Sequence, residues 1–392
     1  MLSGPLVVFG TYDPQKQRAR ILLEGLRQLG VTLHEVNVPT WAGVRDKGTL
    51  TAREKFGAGL RMLAAFPQLV VRYLRAPSHT MVLVPYPGVF EVLLLLPFAA
   101  ARGAAITWDL FISPWDTLVN DRRTQSAAHP VSLLLYACEW IAARAVAHLF
   151  LDTQAHARRF ERLMGLEPGR VGAAPLGTDP NRFPRRTRQR SAEGPLRLLF
   201  YGQFIPLHGL ETIIRAAALL EERGVRVDWR LVGAGQEEPR VAALIAQLGV
   251  RTVTRLGWVP AEELPALIYD CDYGLGIFGV SDKALTVVPN KVYELAATQT
   301  PIITGNTPAM REFAPGHPMI HLVPPGDPAA LADCVERLGK ARQSLAVPSS
   351  SPTLPPQPPS PPPLPVIGPR EVAAAALRVM GVAAEHPLVG AA

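Results

Sequence analysis

Val227-Asp228-Trp229-Arg230-Leu231-Val232 is a short apolar, β-prone run, closed by Gly233-Ala234-Gly235-Gln236 and followed by a helical pattern from Glu238 to Leu248. A strand, a glycine turn and a helix in that order make up the repeating half of a parallel βαβ unit. Backbone N–H groups at such a turn can receive phosphate oxygens. The dinucleotide fingerprint stays incomplete, because Glu238 stands at the third glycine position, which disfavours a nicotinamide dehydrogenase. A simple tight turn explains the two glycines about as well.

The pattern extends in both directions from there. Leu196 to Tyr201 reads as a strand and Gly209 to Arg223 as a helix. Strands are expected at Thr252 to Leu256, Tyr273 to Phe278, Pro301 to Thr304 and Ile320 to Val323, with helices near Glu262 to Tyr269, Asn290 to Thr298 and Pro328 to Arg342. The first half alternates in the same way. Its strands are Pro5 to Gly10, Val31 to Val38, Met81 to Val84, Ala105 to Leu110, His148 to Leu151 and Val171 to Pro175. Its helices are Pro14 to Leu29, Thr51 to Arg75 (with Thr51 and Glu54 as a capping box), Val89 to Ala101, Val131 to Ala147 and Thr153 to Met164. Two such series predict an α/β protein of two doubly wound, Rossmann-like domains. The expected divisions are a first domain over 1–178, a polar linker over 179–195 rich in Arg and Pro, and a second domain over 196–345. A Pro- and Ser-rich stretch over 346–369 reads as an extended spacer rather than a peptide ligand. Residues 370–392 hold a helix candidate and a tail.

Composition agrees with a folded chain: 392 residues, 48% hydrophobic and 19% charged, exceed one ordinary core. Cys138, Cys271 and Cys334 are scattered, without metal-ligand or disulfide spacing, which points to a reducing cytoplasm and to no metal site. The N-terminus runs straight into a strand with no signal-peptide pattern. Val89 to Ala101 is too short to span a bilayer and reads as a buried helix. The net charge of +7 suits nucleic acid, anionic lipid or phosphorylated metabolites, but no nucleic-acid module is visible.

Ligands of open parallel sheets collect at the carboxyl ends of strands. Within Val288-Pro289-Asn290-Lys291-Val292-Tyr293-Glu294, Pro289 can open a helix, and Lys291 and Glu294 lie three apart on one face. A cation near a helix N-terminus opposes the helix dipole and so suggests a nearby anion. A carboxylate one turn on can accept hydrogen bonds from a sugar diol. The alternative is an exposed ion pair of little worth.

Here a resemblance enters. Phe200-Tyr201-Gly202 to His208-Gly209, Leu231 to Gly235, Arg255-Leu256-Gly257-Trp258-Val259-Pro260, Cys271 to Gly276, Pro289 to Glu294 and Thr300 to Thr304 resemble, in order and spacing, the nucleotide-binding domain of family 4 retaining glycosyltransferases. The first half resembles the acceptor domain more loosely, through Phe9 to Asp13 and through Trp108-Asp109 to Ser113-Pro114-Trp115-Asp116. The resemblance implies a GT-B fold, with the two domains facing a cleft. It also implies sugar transfer with retention from a nucleoside-diphosphate sugar to an acceptor hydroxyl, without metal or other cofactor. Glu294 would hold the donor ribose, Gly233 and Gly235 would line the donor site, and Trp258 and Val259 would lie at the base. Gly10 and Thr11 would begin the loop facing the sugar and diphosphate, and Lys283 and Asn290 complete the donor set.

The departures bear on charge. Thr286 replaces the first glutamate of the family's E-x7-E element, Gln203 and His208 stand where an arginine and a lysine neutralise the diphosphate, and Asp109 replaces a histidine. Charge stabilisation of a leaving group is a large catalytic effect. Lys291 is therefore expected to supply the cation, with Lys283 and His208. Asp109 and Asp116 are the candidates to orient the acceptor or take its proton, or else are turn and capping residues. Two rival functions are a sugar-nucleotide-binding protein without turnover and a non-hydrolysing sugar-nucleotide epimerase. The expected acceptor is a carbohydrate or a lipid-linked one, in cell-envelope polysaccharide synthesis. The apolar and basic segment Phe56 to Arg75 reads either as a peripheral contact at the inner membrane face or as a core helix with snorkelling arginines.

Overall fold

The computed structural model describes residues 4–40, 52–185, 194–346 and 361–382, with backbone alone at 52–56 and 345–346. The proposed cap at Thr51 and Glu54, the middle of the linker and most of the Pro-rich stretch lie outside the described residues and side chains. The chain divides into two compact units, Met1–Thr178 with Ile367–Ala392, and Asp179–Val366.

In the first unit the elements are β1 (Leu6–Gly10), α1 (Gln17–Gln28), β2 (Leu33–Asn37), α2 (Ala52–Leu74), β3 (Met81–Val84), α3 (Val89–Ala101) and β4 (Ala105–Phe111). A single turn α4 (Pro114–Asp116), a π-helical turn at Thr117–Asp121, α5 (Pro130–Ala145), β5 (His148–Leu151), α6 (Gln154–Met164) and β6 (Gly172–Ala173) follow. The strands form one parallel sheet in the order β2-β1-β3-β4-β5-β6. Alternate side chains serve opposite layers. Val7, Phe9, Val82, Val84 and Trp108 pack under α2, α3 and α5, while Leu6, Val8, Met81 and Leu83 face α1 and the last helix of the chain.

The second unit runs β7 (Leu196–Tyr201), α7 (Leu210–Glu222), β8 (Val227–Val232), α8 (Glu238–Leu248), β9 (Val253–Leu256), α9 (Leu264–Tyr269), β10 (Tyr273–Leu275), α10 (Asn290–Ala297), β11 (Ile302–Gly305), α11 (Pro308–Phe313), β12 (Ile320–Val323) and α12 (Pro328–Ala346). Its parallel order is β12-β11-β10-β7-β8-β9. The short α11 has no counterpart among the expected helices, although Thr307-Pro308 carries its signal. The Thr307 hydroxyl accepts from the Met310 N–H at 3.1 Å, with proline at the first helical position.

The final helix α13 (Pro369–Val379) returns to the first unit and lies along α1. Gly25 allows the approach, since a Cβ there would stand 1.8 Å from the Pro369 carbonyl oxygen. Asp270 and Asp272 sit at strand starts and are held by Arg197 and Arg230 (2.6 and 2.5 Å to Asp270) and Arg342 (3.3 Å to Asp272).

Candidate functional site

The carboxyl ends of β7 and β8 are joined through backbone. Gly202 N–H donates to Val232 at 3.0 Å, Phe204 N–H to Ala234 at 2.9 Å, and Glu237 N–H to Phe204 at 2.8 Å. The glycines follow from this contact. A Cβ on Gly233 would meet the Gly202 carbonyl oxygen at 2.0 Å, and one on Gly235 would meet Phe204 backbone at 2.7 Å. Their first duty is therefore loop-to-loop packing.

Gly202 has its open side toward two candidate residues. A Cβ there would lie 3.5 Å from both Lys291 Nζ and His208 Cε1. Lys291, the second residue of α10, is buried, and its Nζ rests 3.6 Å from the centre of the Phe200 ring with no hydrogen-bond partner among the described residues. Burial holds its ammonium pKa well below the ordinary lysine value, against a smaller opposing pull from Glu294. Glu294 is buried on the same short helix. Burial raises its pKa, while Tyr201, Lys291 and Arg182 pull it back. The Tyr201 hydroxyl, which bonds Glu294, also lies 3.3 Å from the Lys291 carbonyl oxygen. Lys291 and Glu294 are thus not an exposed ion pair: both are buried, and the lysine has no hydrogen-bond partner among the described residues.

Burial works against His208 as a second cation in the ligand-free protein. Its Nδ1 hydrogen-bonds the Gln203 carbonyl, which fixes the proton on that nitrogen. Burial, then the neighbouring Lys291, hold its pKa well below the usual histidine value. Gln203 is half-buried beside it. Lys283 is buried in the turn before α10, where its carbonyl accepts the Thr286 hydroxyl at 3.0 Å. Asn290 is exposed and begins α10, with Pro289 as its cap rather than its first residue. Trp258 is 58% exposed after β9, and Val259 beside it is half-buried.

In the first unit, Gly10 accepts the Val38 N–H at 3.1 Å, and Thr11 is buried with its hydroxyl on Glu91. Asp109 lies within β4, which continues to Phe111. It is wholly buried, and Arg18 donates to both of its oxygens at 2.8 to 3.1 Å. Asp116 is buried as well and held by both terminal nitrogens of Arg159, one of them at 2.8 Å. Phe200, Tyr201 and Arg182 are site residues that sequence reasoning missed. Phe200 and Tyr201 read as ordinary strand residues, and Arg182 lies in the expected linker, where nothing in its spacing marks it.

Residues 195–340 match the model of the family described as Glycosyl transferases group 1. Solved structures similar to this chain include HepE from Anabaena in complex with UDP, with TM-score 0.56 and 13% identity over 96% of each chain. A sucrose-phosphate synthase from Thermosynechococcus elongatus gives TM-score 0.62 and 15% identity over 97% of this chain and 92% of that one. The fold is GT-B, two Rossmann-like units in one chain. Among curated proteins, the putative colanic acid biosynthesis glycosyltransferase WcaL of Salmonella typhimurium is 28% identical over 172 residues, 43% of this chain and 42% of that one. The amylovoran biosynthesis glycosyltransferase AmsK of Erwinia amylovora is 24% identical over 179 residues, 45% and 44% of the two chains. The chain thus spans less than half the length of these relatives.

Proposed function

We propose that this chain is a glycosyltransferase that takes a sugar from a nucleoside-diphosphate sugar and places it, with retained configuration, on a hydroxyl of a carbohydrate or lipid-linked acceptor. The observation that carries the reading is the buried Lys291 Nζ, without a hydrogen-bond partner among the described residues, beside the bare backbone of Gly202. An ammonium removed from water without an acceptor is costly, and a diphosphate oxygen would relieve that cost. Glu294, one turn away, suits the ribose diol. The family match over 195–340 and the UDP bound to HepE support the same donor class.

In the reaction so conceived, the acceptor oxygen bonds to the anomeric carbon on the face from which the diphosphate leaves. The carbon–oxygen bond to phosphate breaks with its electron pair on the diphosphate, and the acceptor proton passes to a phosphate oxygen. Lys291 compensates the charge that develops there. No metal and no enzyme nucleophile takes part. Asp109 and Asp116, each committed to a buried arginine, shape the first unit rather than exchange protons. Action in the cytoplasm fits the three free thiols.

One observation favours binding without turnover: burial and Lys291 disfavour the charged form of His208, and Thr286 is bonded to a backbone carbonyl, so neither readily restores the charge expected at those positions. The experiment is a melting scan of the full chain against a panel of nucleoside-diphosphate sugars, with Glu294→Ala beside it. A ligand at 100 times its Kd adds about 2.7 kcal/mol. A shift with one donor that disappears in the variant is expected, and no shift with any donor overturns the reading. Released nucleoside diphosphate in the presence of acceptor, with the product anomer read by NMR, separates transfer from binding alone.

A further inference from the structure

The outer surface of the first unit is unusually apolar over three neighbouring helices. Of thirteen exposed large hydrophobic side chains among the described residues, nine lie on α2 and α5. On α2 they are Leu60, Leu63, Val71 and Leu74, with Leu63 59% exposed. On α5 they are Val131, Leu133, Leu134, Trp140 and Ile141, with Leu134 61% exposed. Spacings of three and eight residues on α2, and of three and seven on α5 (Val131 to Leu134, Leu133 to Trp140, Leu134 to Ile141), keep these side chains on one side of each helix as stripes. Between them lies α3, packed against both. It was expected to be a buried helix, yet only one side of it is: Leu93 and Leu94 are half-buried, and Pro97 and Ala100 are exposed. The three helices turn their buried sides to the same face of the sheet, so their open stripes look away from it together.

Charge on this surface has one sign. Arg61, Arg72 and Arg75 run beside the α2 stripe, and Arg144 stands over the Trp140 ring at 3.8 Å on α5. The acidic residues of α3 and α5, Glu91 and Glu139, are buried, occupied by Thr11 and by Ser113 and the Trp115 N–H. From Gly57 to Leu74, α2 contains no acidic residue.

We infer that the α2–α3–α5 face docks on an anionic lipid bilayer. Exposed apolar patches of this extent mark interaction surfaces. Apolar stripes with an arginine fringe and an interfacial tryptophan suit a surface that is hydrocarbon below and negative above. A second copy of this chain would bring the same arginines against these ones. Among the described residues no helix is long and apolar enough to cross a membrane, and docking requires none. The inference does not depend on the donor site and stands or falls separately from it.

The test is co-sedimentation of the full chain with phosphatidylglycerol–phosphatidylcholine vesicles and with phosphatidylcholine alone, at low and high salt. Binding to the anionic vesicles, weakened by salt, is expected, with about a fivefold loss for each of Arg61→Gln and Arg75→Gln. Leu134→Glu with Ile141→Glu should abolish binding while leaving the melting temperature within a degree or two, since both side chains are exposed. Tryptophan quenching by brominated lipid should fall in Trp140→Phe. Wild-type binding by the double glutamate variant overturns the inference, as does equal binding to neutral vesicles. A concentration-dependent dimer lost in that variant, without vesicle binding, would assign the face to a second copy instead.

Discussion

The two units bury ionisable groups near the carboxyl ends of similar sheets and treat them in opposite ways. In the first unit Asp109, Asp116, Asp152 and Glu91 are each satisfied from within. Arg18 holds Asp109, Arg159 holds Asp116, Asp152 bonds His156 at 2.6 Å, and Glu91 takes the Thr11 hydroxyl. In the second, Lys291 has no hydrogen-bond acceptor among the described residues, and Glu294 has a tyrosine and only longer-range help from cations. A closed network spends its polarity on rigidity, whereas an open one keeps donors for a ligand. The contrast predicts that removing a charge should harm the first unit and help the second.

The largest effect is expected at Asp109. Asp109→Asn leaves the buried Arg18 without its counter-ion and should cost about 3–5 kcal/mol of unfolding free energy, measured by urea denaturation. The two carbonyls that also bond Arg18, of Ala174 and Pro175 at 2.9 and 2.7 Å, cannot replace a carboxylate. A loss within experimental error would show that the first unit's pairs are not structural and would reopen Asp109 as a reacting group. Lys291→Met should act in the opposite direction and raise the stability of the ligand-free protein by about 1–3 kcal/mol, because it removes a buried polar group that lacks a partner. The same change should abolish any melting shift caused by nucleoside diphosphate. A destabilised Lys291→Met would mean that the lysine is held by contacts as those of the first unit are.

Much of this was legible in the sequence. The alternation of Leu6, Val8 and Leu83 with Val7, Phe9 and Val82 is a period-two pattern between helical ones, and patterns of that kind located both sheets. Lys291 and Glu294 were legible because a lysine at a helix N-terminus contradicts the dipole. The site's depth was not. Phe200 beneath the ammonium is written like any core residue, since a strand pattern records burial and not what lies above the ring. Asp109 was expected within a strand, but its pairing with Arg18 leaves no mark in the spacing, and β4 runs on to Phe111, which takes a positive φ of 54° at an irregularity in the pairing with β5. The outer face of α3 misled for a related reason: an all-round apolar helix reads as buried whether or not a neighbour covers it.

The comparison sharpens with pH. Lys291 has a folded pKa well below its unfolded one, so the unfolded chain binds the extra proton. Stability should therefore rise with pH between the two values, by up to about 1.4 kcal/mol per pH unit. As pH falls through the unfolded value near 10.5 this contribution declines, and it is fully lost below the folded one. Subtracting the pH profile of Lys291→Met from that of the wild type isolates the effect, and parallel profiles would contradict it. Diphosphate binding should in turn take up a proton, seen as a calorimetric enthalpy that varies with the ionisation heat of the buffer.

The smallest expected effect concerns Tyr201, a neutral side chain in the second unit's site that behaves as the first unit's groups do. Its hydroxyl donates to Glu294, and burial followed by that carboxylate holds its own pKa well above the tyrosine value. Tyr201→Phe removes the donor without removing the ring. It should cost about 0.5–1.5 kcal/mol of stability and push the Glu294 pKa further up, since a hydrogen bond that favours the charged form is lost. If Glu294 accepts the donor ribose as a carboxylate, affinity for a nucleoside diphosphate should then weaken at low pH more steeply in the variant than in the wild type. The comparison to make is the ratio of Kd values at two pH values on either side of the carboxylate range. An unchanged ratio would place the Tyr201 bond among the closed contacts and leave Lys291 alone as the open group of the second unit.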